Sequence, residues 1–307
     1  MMTSVVLPLA LAIIMFTLGL GLKVDDFKRI FVYPRGVSIG MVNLLLVSPL
    51  LAFGIAELFN LDPLLAMGLV LLGASPGGTL ANMFTHLARG ETALSISMTA
   101  ISSVVAVITI PLFLSLANSH FGAGNSLDDV NMWSVVLRTF LITILPLSLG
   151  LWVRSRSPKR VEKIRPALTR ASLVLFVLVV LGAVVSEFEL IRENFARVAA
   201  AALTLNVVAM AFSFTASKLG RLNDRQATAI ALELGIHNAT VAIVVAGMIN
   251  EELMIPAAVY SAFMFITGGI FAKFMHSRNA PSDGAGATVV TPEQPSSLRS
   301  LPRSRGG

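Results

Sequence analysis

The chain has 307 residues, 55% of them hydrophobic and only 13% charged, with a mean hydropathy of +0.80. A soluble domain carries about 25% charged residues, so the composition excludes an ordinary soluble protein and predicts a polytopic membrane protein. There is no cysteine, which excludes a disulfide framework and thiol chemistry. The net charge of +6 could suggest nucleic acid, but the basic residues lie in short loops between apolar spans. We therefore expect a lipid bilayer as a partner, and no nucleic acid.

Nine apolar segments each fit the roughly 20 residues that a helix needs to cross the hydrocarbon. Their approximate bounds are 3–22, 36–57, 64–88, 92–116, 131–153, 171–188, 196–217, 226–249 and 254–275. The first segment lacks the basic start and the cleavage site of a signal peptide, so we expect it to be retained. The predicted fold is all-α, with nine transmembrane helices in one domain over residues 1–276.

Lysine and arginine are concentrated in alternate loops, after spans one, three, five, seven and nine. These residues are Lys23, Lys28, Arg29, Arg35, Arg89, Arg154, Arg156, Lys159, Arg160, Lys163, Arg165, Arg170, Lys218, Arg221, Arg225, Lys273 and Arg278. By the positive-inside rule these loops are cytoplasmic. The N-terminus is then outside and the C-terminus inside, and we expect an integral protein of the cell (inner) membrane. Residues 277–307 have almost no apolar pattern, and their composition predicts a disordered cytoplasmic tail.

Spans three and eight are both interrupted by residues that suit a helix interior poorly. Span three contains Ala74-Ser-Pro-Gly-Gly-Thr-Leu-Ala-Asn82, and span eight contains Ala231-Leu-Glu-Leu-Gly-Ile-His-Asn-Ala-Thr240. Because five spans, an odd number, lead from span three to span eight, the two cross the membrane in opposite directions. Paired interruptions of this kind indicate an inverted-repeat transporter with two discontinuous helices that cross at a midplane site. If the repeat unit is five helices, the first repeat lacks its first helix.

Glu233 is the only acid that we place at mid-membrane, where an ionisable side chain is costly and is usually functional. A break in a membrane helix also exposes backbone groups that lipid cannot satisfy. Carbonyls from Glu233 to Ile236 can therefore bind a cation. The half-helices that begin near Thr79 and Asn238 present free N–H groups, which favour an anionic substrate. The alternatives are a neutral core carboxyl for Glu233 and an interhelical hydrogen bond for Asn238.

Span four supplies hydroxyl groups on one helical face, from Ser95, Thr99 and Ser102. Such hydroxyls often bond the carbonyl one turn back, and we expect this of Ser102. With Asn82 and Glu233, however, Ser95 and Thr99 would form a hard oxygen site suited to a hard cation. His237 follows Glu233 by one turn, and its role stays open between cation ligand, proton carrier and packed partner of the carboxylate.

Three segments together resemble the two signatures of the bile acid:sodium symporter family. They are Ser75-Pro-Gly-Gly-Thr-Leu-Ala-Asn82, Thr85-His-Leu-Ala-Arg-Gly90 and Glu233-Leu-Gly-Ile-His-Asn238. The likeness runs from about residue 5 to 275. It implies a core domain of spans two to four and seven to nine, a panel domain of spans one, five and six, and alternating access driven by sodium.

The resemblance also implies a set of ligands. One sodium site would use Asn82, Ser95, Thr99 and Glu233. A second would use backbone oxygens near Glu233, Leu234 and Ile236 with the side chain of His237. Thr79 and Asn238 would face an anionic substrate. The chain departs from the family at Ala81, where serine is usual, and at His237 and Leu44, where glutamine is usual, so the number of sodium ions stays open.

We therefore predict a sodium-coupled symporter of a small organic anion, such as a bile-acid-like, pantoate-like or keto-acid-like carboxylate. The alternative is a proton-coupled or uncoupled carrier or exporter of the same fold. An enzyme is not expected, because an intramembrane enzyme needs a second buried acid or a histidine cluster. The cargo, the direction of transport and the oligomeric state stay open.

Overall fold

The computed structural model describes residues 6–28, 31–122 and 132–280, and these residues are almost entirely helical. In chain order the helices are α1 Leu7–Gly21, α2 Val24–Lys28, α3 Pro34–Leu58, α4 Pro63–Gly73, α5 Thr79–Leu87, α6 Thr92–Phe121, α7 Met132–Arg156, α8 Pro158–Ser186, α9 Phe188–Leu219, α10 Asp224–Gly235, α11 Ala239–Gly247 and α12 Ile255–Arg278. A short 3₁₀ turn, Glu251–Met254, precedes α12.

The prediction of an all-α polytopic membrane protein is confirmed. Within the described ranges, six helices are long and apolar enough to cross a membrane, namely α3, α6, α7, α8, α9 and α12. Two shorter apolar helices, α1 and α4, join them. The predicted tail over 277–307 begins too early, since α12 continues to Arg278, and residues 281–307 lie outside the described ranges.

The predicted loop between spans five and six is wrong. The sequence suggested a basic loop over 154–170, but α7 ends at Arg156 and α8 begins at Pro158. Hydropathy locates only the part of a helix that is apolar, and α8 has basic turns before its apolar stretch. Pro158 suits the first position of a helix, where its missing N–H has no intrahelical acceptor. Arg165 consequently lies on a helix rather than in a loop.

The two interrupted spans are helices with short extended breaks, and the breaks meet. The first break lies between α4 and α5, and the second between α10 and α11. Gly78 N donates to Ile236 O at 3.3 Å, and Asn238 N donates to Pro76 O at 2.8 Å. This antiparallel pairing, centred on Gly77 and His237, satisfies backbone groups that the breaks would otherwise leave unpaired inside the membrane.

Helices α1, α7 and α8 pack against one another, while α6 and α9 pack against the broken helices. Close approach of α1 and α7 depends on Gly19 and Gly150, because a Cβ on Gly19 would overlap Leu147 O and one on Gly150 would overlap Phe16 O. Small residues are typical where membrane helices pack backbone to backbone. The broken helices thus lie beside a separate group of three helices.

Helix α3 contains a widened π turn at Asn43–Val47, directly before Ser48 and Pro49. A proline inside a helix lacks an N–H and crowds the preceding turn, and π turns are frequent at functional positions. Ser48 is fully buried at this point. The turn therefore presents a serine hydroxyl to the interior of the bundle.

Candidate functional site

The carboxylate of Glu233 lies at the crossing of the breaks and is fully buried. Its Oε1 accepts hydrogen bonds from Ser95 Oγ at 2.7 Å and from Thr99 Oγ1 at 2.6 Å. The same two hydroxyls lie 2.8 Å and 3.3 Å from Asn82 Oδ1. The four side chains that the sequence suggested for a first cation site therefore meet in one cluster.

This cluster has more oxygen acceptors than hydroxyl hydrogens. Ser95 and Thr99 each carry one hydroxyl hydrogen, yet each lies within hydrogen-bonding distance of both Glu233 Oε1 and Asn82 Oδ1. Glu233 Oε2 is buried and has no hydrogen-bond partner in the described ranges. Thr85, which the sequence reasoning missed, donates to Ser95 Oγ at 3.4 Å. Carboxylate, amide and hydroxyl oxygens gathered in this way suit a hard cation such as sodium.

Gly77 makes room for the carboxylate. A Cβ at Gly77 would overlap Glu233 Oε2, so a larger residue would collide with the acid. Gly77 N donates to Ser102 Oγ at 3.3 Å, and Ser102 Oγ donates to Thr99 O at 3.2 Å. Ser102 thus makes the local bond that we expected. It also holds the first break in place, which the sequence did not suggest.

Backbone carbonyls at the end of α10 fall into two groups. Gly235 O accepts from Asn206 Nδ2 at 2.6 Å and from Tyr260 Oη at 3.0 Å, and Ile236 O accepts from Gly78 N. Within the described part of the chain, no donor reaches the carbonyls of Glu233 or Leu234. The last carbonyls of a helix need partners from outside it. Of the backbone oxygens suggested for a second cation site, those of Glu233 and Leu234 are therefore the ones available.

The ring of His237 is held by both of its nitrogens. Nδ1 lies 3.2 Å from Ser75 O, and Nε2 lies 3.0 Å from Ser48 Oγ. Because a carbonyl oxygen only accepts, Nδ1 carries the hydrogen, and in the neutral ring Nε2 accepts from the Ser48 hydroxyl. The ring therefore links the two breaks to α3, and no bond to Glu233 forms.

Ser48 was missed by the sequence reasoning. It lies one turn after Leu44, the position at which the resemblance suggested a ligand. That spacing was the available signal.

A cavity of about 340 Å³ lies between α1, α8 and the crossing. Thr79 is exposed to it, and no acceptor for Thr79 N or Leu80 N exists in the described ranges. Asn238 also lines the cavity. Its Oδ1 accepts from Val241 N at 3.3 Å, so the amide nitrogen Nδ2 is the donor that it can offer a ligand. Unpaired N–H groups at the start of α5 favour an anion.

The rest of the cavity wall is mostly apolar. The residues that supply this surface are Ile14, Leu18, Leu22, Ile96, Phe176 and Met264. A pocket of this kind, with a largely apolar surface and polar groups in fixed places, is typical of a small-molecule site. The structure brings Thr79 and Asn238 together here, beside the Glu233 cluster, with which the cavity shares Asn82.

An all-helical membrane protein in which two broken helices cross beside a ligand-sized cavity has the architecture of a secondary transporter. Comparison with known proteins defines the kind of transporter. Residues 8–194 match the Sodium Bile acid symporter family, and the chain belongs to this family. It is therefore an integral membrane protein and a sodium-dependent transporter of a small solute, not an enzyme.

Individual relatives agree with this assignment. The chain is 30% identical over 265 residues to "Uncharacterized sodium-dependent transporter YocS" of Bacillus subtilis. The aligned region covers 86% of this chain and 81% of that protein. It is 26% identical over 275 residues to "Probable sodium/metabolite cotransporter BASS2, chloroplastic" of Oryza sativa, covering 89% of this chain and 64% of that protein. It is 25% identical over 277 residues to the human "Ileal sodium/bile acid cotransporter", covering 88% and 78%.

Proposed function

We propose that this protein imports a small organic anion together with sodium by alternating access. The observation that carries the proposal is the fully buried Glu233 carboxylate, held by Ser95 and Thr99 beside the cavity in which the N-terminus of α5 is unpaired. Sodium at Glu233 would fix the two breaks against each other. By linkage, sodium and the anion then raise each other's affinity by the same factor.

The proposed transmembrane count is nine. Each broken pair, α4 with α5 and α10 with α11, counts as one crossing, and α1, α3, α6, α7, α8, α9 and α12 are the other seven. The matching breaks support an inverted repeat, in which spans three and eight are equivalent. The mutual packing of α1, α7 and α8 supports their assignment as a panel that moves against the remaining core helices.

The sodium ion is placed at the site of Asn82, Ser95, Thr99 and Glu233. The second set of ligands, near Glu233, Leu234, Ile236 and His237, is less complete. Ile236 O and the His237 ring are already hydrogen-bonded, which leaves the carbonyls of Glu233 and Leu234 at that position. We therefore expect coupling to be dominated by one sodium ion.

The proposed orientation follows the basic loops, with the N-terminus outside, the C-terminus in the cytoplasm and the protein in the cell (inner) membrane. The cavity extends from the crossing toward Leu22, Thr92 and Arg165, which lie at the end of α1, at the start of α6 and in the basic first turns of α8. In this orientation the cavity opens to the cytoplasm. The structure then corresponds to the inward-facing step of transport.

The cargo proposed here is a carboxylate. A carboxylate matches the unpaired N–H groups at Thr79 and Leu80 and the amide of Asn238. Relatives named as cotransporters of bile acid and of metabolites support an organic anion. A bile-acid-like, pantoate-like or keto-acid-like carboxylate fits these features.

The test is a screen of organic anions against the purified protein, by thermal shift with sodium or with choline, followed by uptake of the hits into proteoliposomes. Glu233→Gln should abolish sodium-dependent uptake and keep a folded protein. Uptake by the unmodified protein that is unchanged without sodium contradicts the proposal. A proton-driven flux that disappears in His237→Gln favours the proton-coupled carrier instead.

A further inference from the structure

The mouth of the cavity carries a guanidinium group that the proposed function does not use. Arg165 on α8 is exposed and lines the cavity. A Cβ on Gly21 would lie 3.6 Å from its Nη2 and 3.7 Å from its Nε, so the guanidinium lies close to the end of α1. No acid forms an ion pair with Arg165 among residues 6–28, 31–122 and 132–280. Its positive charge is therefore available to a ligand.

Hydroxyl groups continue from Arg165 into the cavity. Thr169 and Ser172 follow at positions i+4 and i+7 of α8, which lie on the same helical face, and both line the cavity. Ser172 Oγ is buried and has no hydrogen-bond partner within the described ranges. A buried hydroxyl without a partner is costly, and a polar group of a ligand would satisfy it. The wall contributed by α8 is thus polar along a line that runs inward from Arg165.

The cavity consequently has a cationic position at its mouth and an anion-binding helix N-terminus, at Thr79, at the crossing. Along α8, the line of polar side chains from Arg165 to Ser172 spans seven residues, or about 10 Å. The same cavity wall also includes the apolar side chains of Ile14, Leu18 and Phe176. A ligand that uses both positions therefore needs two acidic groups separated by an apolar body.

We propose that Arg165 is a specificity-determining residue that binds a second acidic group of the cargo. This inference rests on the proposed function and narrows its substrate class to elongated dianions, with one acid at the N-terminus of α5 and the other at Arg165. Guanidinium binds a carboxylate through two parallel hydrogen bonds, which explains why arginine suits this position better than lysine.

The experiment compares two probes of equal length in the full-length purified protein. Suberate has a carboxylate at each end of an eight-carbon chain, and octanoate has one carboxylate on the same chain. Binding of each is titrated in sodium and in choline, by thermal shift and by calorimetry, for the unmodified protein, Arg165→Gln, Arg165→Lys and Arg160→Gln. Arg160 lies on the same helix, is exposed and does not line the cavity, so its variant controls for the loss of one charge.

The unmodified protein should bind suberate more tightly than octanoate, in a sodium-dependent manner. Arg165→Gln should weaken suberate by about tenfold or more, the effect of losing a charged hydrogen-bonded pair, and leave octanoate unchanged. Arg165→Lys should restore part of the loss, and Arg160→Gln should match the unmodified protein.

If suberate binds the unmodified protein and Arg165→Gln with equal affinity, the inference about Arg165 is overturned. If octanoate binding still depends on sodium in that experiment, the proposed function stands. An equal loss of both probes in Arg165→Gln also overturns it. If neither probe binds with or without sodium, the dianion inference is rejected, and the anion screen described above decides the proposed function separately.

Discussion

Gly77→Ala should disable the proposed cation site at Glu233 through a single added methyl group. The new Cβ would overlap Glu233 Oε2 and lie 2.8 Å from the carboxyl carbon. Because Glu233 Oε1 is held by Ser95 and Thr99, the carboxylate must either leave these hydroxyls or displace the break. Overpacking of this kind costs about 1–3 kcal/mol, so the affinity for sodium should fall by about 5- to 150-fold.

The matched control is Gly78→Ala in the same break. A Cβ there would lie 3.4 Å from His237 O and 3.5 Å from Ile236 O, which are ordinary contacts. Gly78 has φ −109° and ψ 158°, a conformation that alanine adopts without strain. In sodium titrations followed by thermal shift, the sodium concentration that gives half of the maximal shift should be unchanged for Gly78→Ala and raised for Gly77→Ala. Equal midpoints for both variants would refute the steric reasoning.

Two further predictions concern the hydrogen bond between Ser48 and His237 at the crossing and the ion pairs of Asp224 at the start of α10. Ser48→Ala leaves His237 Nε2 without its partner and should lower the unfolding free energy by about 1–3 kcal/mol, with sodium still bound. Chemical denaturation measures the change, and no loss of stability argues against a hydrogen bond between Ser48 and His237. The Lys218 ammonium, followed by the Arg278 guanidinium, lowers the pKa of Asp224 below its ordinary value of 3.8. An acid whose pKa is lower in the folded state than in the unfolded state stabilises the fold at any pH above its unfolded-state pKa. This stabilisation is lost as the pH falls through the folded-state pKa. The melting temperature of Asp224→Asn should therefore fall less steeply than that of the unmodified protein as the pH is lowered. If both proteins show the same dependence of melting temperature on pH, the ion pair contributes nothing.

The residues of the Glu233 cluster could be predicted because their signals are local. An acid inside an apolar span, two hydroxyls one turn apart and a run of Pro and Gly are each visible in a short window of sequence. Glu233, Ser95 and Thr99 were found in this way, and Asn82 followed from the break that precedes it. The class of fold follows from hydropathy for the same reason.

Features that depend on distant segments could not be predicted in the same way. Ser48 and His237 are 189 residues apart in the chain, and only the π turn in α3 and the pairing of the breaks bring them together. Asn206 is another example, because its bond to Gly235 O depends on how α9 packs against α10. Arg165 was assigned to a loop, since hydropathy does not detect the basic turns with which α8 begins.

The central claim is that sodium binds at Glu233, and the most direct measurement is the stability of the purified protein in sodium chloride against choline chloride. A ligand at 100 times its Kd stabilises the folded state by about 2.7 kcal/mol. We expect the melting temperature to rise with sodium in the unmodified protein and not to respond to sodium in Glu233→Gln. The same rise in both proteins would contradict it.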